Sequence, residues 1–83
     1  MKSLDIHDAS PRPVMCVREE EENVYFPNAS VLKKGKVYNM TKVIVYPFKT
    51  EVYLKEFPEM EFNSLQFGEL STLSIDMRYQ KNR

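Results

Sequence analysis

"KVYNMTKVIVY", residues 36–46, is crowded with β-branched and aromatic side chains in a chain of 83 residues, and its reading decides the fold. Such side chains suit a pleated, half-buried surface, so the run is a strand. Its two faces do not alternate cleanly. Tyr38 and Met40 share one face and Val43 and Val45 the other, with Thr41 and Lys42 between. A β-bulge near Thr41 reconciles the two halves by bending the strand, as a small barrel requires.

The reading extends outward from that strand. "PFKT" (47–50) is a hairpin connection and "EVYLKEF" (51–57) its returning strand, ended by Pro58. Upstream, "PVMCVRE" (13–19) alternates and is the first strand. Residues 1–13 are polar, contain Pro11 and Pro13, and read as a loose leader. "REEEEN" (18–23) repels itself and reads as a solvated loop. "VYFPNASVLKKGK" (24–36), broken by Pro27, Asn28 and Gly35, reads as an irregular loop ending in a turn.

Downstream, "FNSLQFG" (62–68) has the spacing of one capped turn. Asn63 stands as N-cap, Gln66 three residues on completes a capping box, and Phe62 and Phe67 take the two positions of a hydrophobic staple. Gly68 then closes the turn in the left-handed region. This predicts a short 3-10 turn clamped by two buried rings, a structural device rather than a ligand box. The last segment, "TLSIDMRYQKNR" (72–83), alternates strictly, with Leu73, Ile75, Met77 and Tyr79 on one face. It reads as a strand-like extension of residues 71–83.

The expected fold is therefore all-β, about five strands with one short 3-10 turn and a C-terminal strand. Residues "KKGKVYNMTKV", "EVYL" and "FPEMEFNSLQFGEL" together resemble small uncharacterised phage and prophage proteins with an SH3-like barrel. The resemblance covers residues 14–70, with Met40 where valine or isoleucine is usual. It implies a fold and no activity, because SH3-like barrels host many unrelated functions.

Composition excludes more than it assigns. Hydrophobic residues at 42% are ample for one core. The lone cysteine, Cys16, precludes an internal disulfide and fits a reducing cytoplasm. No apolar run is long enough to span a membrane, and the start of the chain lacks a signal-peptide core. His7 is the only histidine, too few ligands for a zinc site. "KKGKV" lacks the earlier glycine and the trailing hydroxyl of a phosphate loop. Glu19–Glu22 lack the alternating ligands of a calcium loop. No cofactor, metal or catalytic constellation is expected.

What remains is binding. The expectation is a small non-enzymatic protein-binding module, of the accessory or inhibitor kind found in phages, whose candidate contacts are Tyr25, Phe26, Leu73, Ile75, Met77 and Tyr79. The tail is expected to pair with a second copy as a homodimer, since a free apolar strand is normally covered. The alternative is nucleic acid held by Lys33, Lys34, Lys36, Lys42, Tyr46 and Lys49, where lysines interleave with rings. A net charge of zero counts against it.

Overall fold

The computed structural model describes residues 2–70. They form one antiparallel sheet of five strands: β1 (Arg12–Cys16), β2 (Val37–Val45), β3 (Thr50–Leu54), β4 (Phe57–Asn63) and β5 (Phe67–Glu69). The strand order is β4-β3-β2-β1-β5. Among the described residues, helical structure is limited to two 3-10 turns, η1 (Ala29–Val31) and η2 (Ser64–Gln66). The described residues are all-β, as their side-chain pattern requires.

The bulge lies where the mismatched faces of β2 place it. Met40 pairs with Leu54 and Lys42 with Tyr53, so Thr41 has no opposite residue. The Thr41 hydroxyl donates to the Tyr53 carbonyl at 3.2 Å. This one-residue offset turns Tyr38, Met40 and Val43 onto a single face, against Val14, Val52, Leu54 and Phe62 in the core. Val45 lies past the core and is exposed.

The region after β3 differs from the sequence reading. The returning strand ends at Leu54, the chain reverses at Lys55 and Glu56, and Phe57–Asn63 is a strand of its own. Pro58 does not stop it, because β4 lies at the sheet edge and proline is tolerated where no ladder donor is required. The register also slips between Tyr53 and Leu54, opposite the stretch that holds Pro58.

The capped turn is partly as expected. The Asn63 side chain accepts a hydrogen bond from the Leu65 amide at 3.0 Å, and Phe62 and Phe67 are buried. Asn63→Ala is expected to destabilise the domain by about 0.5–2 kcal/mol, the usual effect of a lost N-cap; paired denaturant melts measure it. Two details depart from expectation. Gln66 does not reach back to complete a capping box; its buried amide donates to the carbonyls of Arg18 and Ala29, both at 3.3 Å. Gly68 is not left-handed: the chain passes straight from η2 into β5, where Gly68 pairs with Met15. Among the described residues only Gly35, at φ 89°, takes a left-handed conformation.

Residues 2–11 fold back onto β5. Ser3 bridges Gly68, the Glu69 amide donates to the Lys2 carbonyl at 2.8 Å, and Leu4 enters the core. Arg12 holds this arrangement. Its guanidinium forms a two-pronged pair with Glu69, with Nε 2.9 Å from Oε1. It also donates to the carbonyls of Asp8 at 2.7 Å and Ser10 at 2.9 Å. Glu69 in turn accepts from the Asp5 amide at 2.8 Å. Both sheet edges are thereby guarded, β5 by the leader and β4 by Pro58 and the exposed Glu59.

Candidate partner-binding surface

Three segments meet at one end of the sheet: the long β1–β2 loop, the β2–β3 hairpin tip and η2. The loop is anchored by its apolar residues, with Phe26, Ala29 and Leu32 buried. Gln66 ties both of its arms through the Arg18 and Ala29 carbonyls. The Tyr38 hydroxyl accepts the Lys33 amide at 3.0 Å. Within this frame the Asn23 side chain accepts from the amides of Tyr25 and Phe26, each at 3.0 Å, and makes a tight turn. The turn buries Phe26 and leaves Val24 and Tyr25 outside.

The hairpin tip presents more rings. The Tyr46 amide donates to the Lys49 carbonyl at 2.8 Å, with Pro47 at the first corner, where its fixed φ suits a tight turn. Phe48 is 64% exposed at the second corner. Its ring centroid lies 5.7 Å from that of Tyr25 and 6.0 Å from that of Tyr46. Leu65 of η2, 63% exposed, borders the cluster. Between these groups lies an open hollow of about 420 Å³. A second, of about 450 Å³, lies toward the leader beside Lys2, Leu4 and Phe67. Ile6, Ser64 and Leu65 line both, so the two hollows adjoin.

Lys49 sits beneath the rings. Its ammonium is 5.3 Å from the Phe26 centroid and 5.8–6.0 Å from those of Tyr46, Phe48 and Tyr25. It also pairs with Glu51 at 2.7 Å. The Glu51 carboxylate holds the Lys49 ammonium above its ordinary pKa, and Lys49 holds Glu51 below its own. Glu51 also accepts the Tyr53 hydroxyl at 2.9 Å. Burial, followed by that carboxylate, pushes the Tyr53 phenol up to about 12. The Lys42 ammonium covers the Tyr53 ring at 4.5 Å. These charges are satisfied within the sheet's outer face, so the rings above are left as a largely apolar patch.

The structure thus groups Tyr25 with Phe48 and with Tyr46, which the sequence reading placed with nucleic acid. Phe26 is the buried anchor beneath them. Leu65 was not singled out, although the spacing held the signal: with Phe62 and Phe67 both inward, the middle of a one-turn helix must face out. The lysines do not gather. Lys33, Lys34 and Lys36 surround the Gly35 turn before β2, whereas Lys49 follows its far end. The nine residues of β2 intervene, about 30 Å at strand spacing. Leu73, Ile75, Met77 and Tyr79 lie outside the described residues. No family model matches the chain, and comparison with curated proteins and with solved structures finds no significant match.

Proposed function

We propose that this chain is a small non-enzymatic protein-binding module with an SH3-like barrel, acting as an accessory or inhibitor protein of the phage type by occupying a partner's surface. The strand order, with a 3-10 turn leading into the last strand, supports the SH3-like reading. One observation carries the functional reading. Tyr25, Tyr46 and Phe48 cluster in the open beside Leu65, on a domain whose other large rings are mostly inside. Exposed aromatic clusters on small folded domains mark interaction sites, and tyrosine is enriched among residues that dominate binding energy. The dispersed lysines favour protein over nucleic acid as the partner.

The test is affinity capture from a lysate of the source organism, with and without nuclease, using wild type, Tyr25→Ser and Phe48→Ser. Both rings are exposed, so melting should stay within about 0.5 kcal/mol of wild type. Removing a dominant ring is expected to weaken capture about 30-fold, equivalent to about 2 kcal/mol. Undiminished capture by both variants would remove the patch from consideration. Capture abolished by nuclease would bring the lysine-mediated reading forward.

A further inference from the structure

The ring cluster already holds one cation, its own. The Lys49 ammonium lies 5.3 Å from the Phe26 centroid and 5.8–6.0 Å from those of Tyr46, Phe48 and Tyr25. A ring face attracts a positive charge out to about 6 Å, so these side chains form a site suited to cations. Lys49 fills only part of it. Its side chain is 17% exposed and its charge is matched by Glu51 at 2.7 Å, whereas Tyr25 and Phe48 are 51% and 64% exposed. Ring surface is left open to a second cation arriving from outside.

The charge bordering the patch is one-sided. Glu20 accepts from Asn63, which lines the hollow, at 3.5 Å, and Arg18 matches it at 3.0 Å. Glu61 is near enough to help hold the Lys49 ammonium above its ordinary pKa. Glu21 and Glu22 lead directly into the Asn23 turn that carries Tyr25, and both are exposed. Glu22 accepts the Ser30 hydroxyl at 3.1 Å, but among the described residues neither carboxylate has a basic partner. A partner anion would meet this surplus of like charge, which opposes association. A wholly apolar partner would cover the rings and leave the carboxylates unused. Arginine satisfies both, because its weakly hydrated plane stacks on aromatic faces and its fork of donors fits a carboxylate. The compact ammonium of lysine is more strongly hydrated and suits exposed ring faces less well.

We propose that the patch receives an arginine-bearing segment of the partner protein, its guanidinium stacked on the open faces of Tyr25 and Phe48 and its donors turned toward Glu21 and Glu22. The inference rests on the partner-binding reading above and adds the chemistry of the partner. Leu65 meets the apolar stem of the same side chain.

Titration of the ¹⁵N-labelled full chain with defined peptides tests this without the partner. The probe is an end-blocked Gly-Arg-Gly-Arg-Gly peptide, beside versions with lysine, glutamate or citrulline in place of arginine. Citrulline keeps the shape of arginine and lacks its charge. Saturable shifts of the Tyr25, Phe48 and Leu65 amides are expected with the arginine peptide, and binding about 10-fold weaker with the citrulline one. Tyr25→Ser and Phe48→Ser should each weaken the arginine peptide about five-fold, the equivalent of one exposed cation–ring contact. Glu21→Gln with Glu22→Gln should weaken it about three-fold. All of these side chains are exposed, so the rest of each variant's spectrum should match wild type. Citrulline, glutamate or lysine peptides binding as tightly as the arginine one would overturn the proposal, as would the absence of shifts at millimolar arginine peptide. If lysate capture is nevertheless lost in the ring variants, the patch remains a binding surface and only its arginine is removed. Undiminished capture by both ring variants removes the partner-binding reading itself.

Discussion

Alanine at Phe67 is expected to destabilise the domain by about 3–5 kcal/mol, the range for removing a buried ring. Phe67 is 2% exposed; it ends η2 and begins β5, where it pairs with Cys16. Its ring therefore supports both the core and the attachment of the last strand. Against a total stability of about 5–15 kcal/mol, such a loss leaves a domain that is marginal or unfolded at room temperature. Urea melts of Phe67→Ala should show a midpoint shifted strongly downward, while Leu65→Ala, two residues away but exposed, should move by no more than about 0.5 kcal/mol. Equal midpoints for the two variants would mean that η2 does not place its rings as described.

Disrupting the Arg12–Glu69 pair has the second largest expected effect. The two side chains are 12% and 7% exposed, so removing one leaves the other charged, poorly solvated and unpaired. Arg12→Ala should destabilise by about 3 kcal/mol, the lower end for breaking a buried pair, and should loosen the leader from β5. The pair also sets an acid limit. Arg12 is the main cause that holds the Glu69 carboxyl below its ordinary value of 4.5. A carboxylate whose folded pKa is depressed contributes stability that is fully present above the unfolded value and is lost as pH falls through the folded one. Glu51, lowered chiefly by Lys49, acts in the same direction. Stability should therefore be level from neutral pH down to about 5 and fall below it. Glu69→Gln should start lower at pH 7 and lose less on acidification. Urea midpoints between pH 7 and pH 3 measure both slopes, and parallel curves for wild type and Glu69→Gln would exclude the pair as a source of acid sensitivity.

Local signals in the sequence were dependable where one residue's chemistry dictated one geometry. The bulge at Thr41 was legible because two runs of apolar residues fell out of phase, and only an inserted residue brings them together. Asn63 was legible as a cap because its side chain needs only the next two residues. What was hidden depended on partners distant in sequence. β4 was obscured by Pro58, which forbids a central strand but not an edge one, and edge position is decided by topology. Gln66 matched a capping box locally, yet its amide goes to carbonyls 48 and 37 positions away. The leader's order stems from one arginine whose acceptor sits in β5. The aromatic patch was visible only in parts, since Tyr25 and Phe48 are 23 residues apart and nothing local announces that the loop and the hairpin tip converge.

The link between Arg12 and Glu69 spans 57 positions, and it bears on how the chain is made. Closing a loop of that length costs about 3–4 kcal/mol of chain entropy before any contact across it forms. The hairpin of β2 and β3 can assemble from neighbouring residues, but β1 gains β5 as its second neighbour only once nearly all of the described chain exists. Residues 2–16 are synthesised well before their partners in β5, so the β2–β3–β4 meander is expected to form while β1 still lacks that neighbour. Folding should accordingly be completed by the joining of β1 and the segment before it to β5, a late and comparatively slow event for a domain of this size, in line with the slowing of folding as contacts become less local.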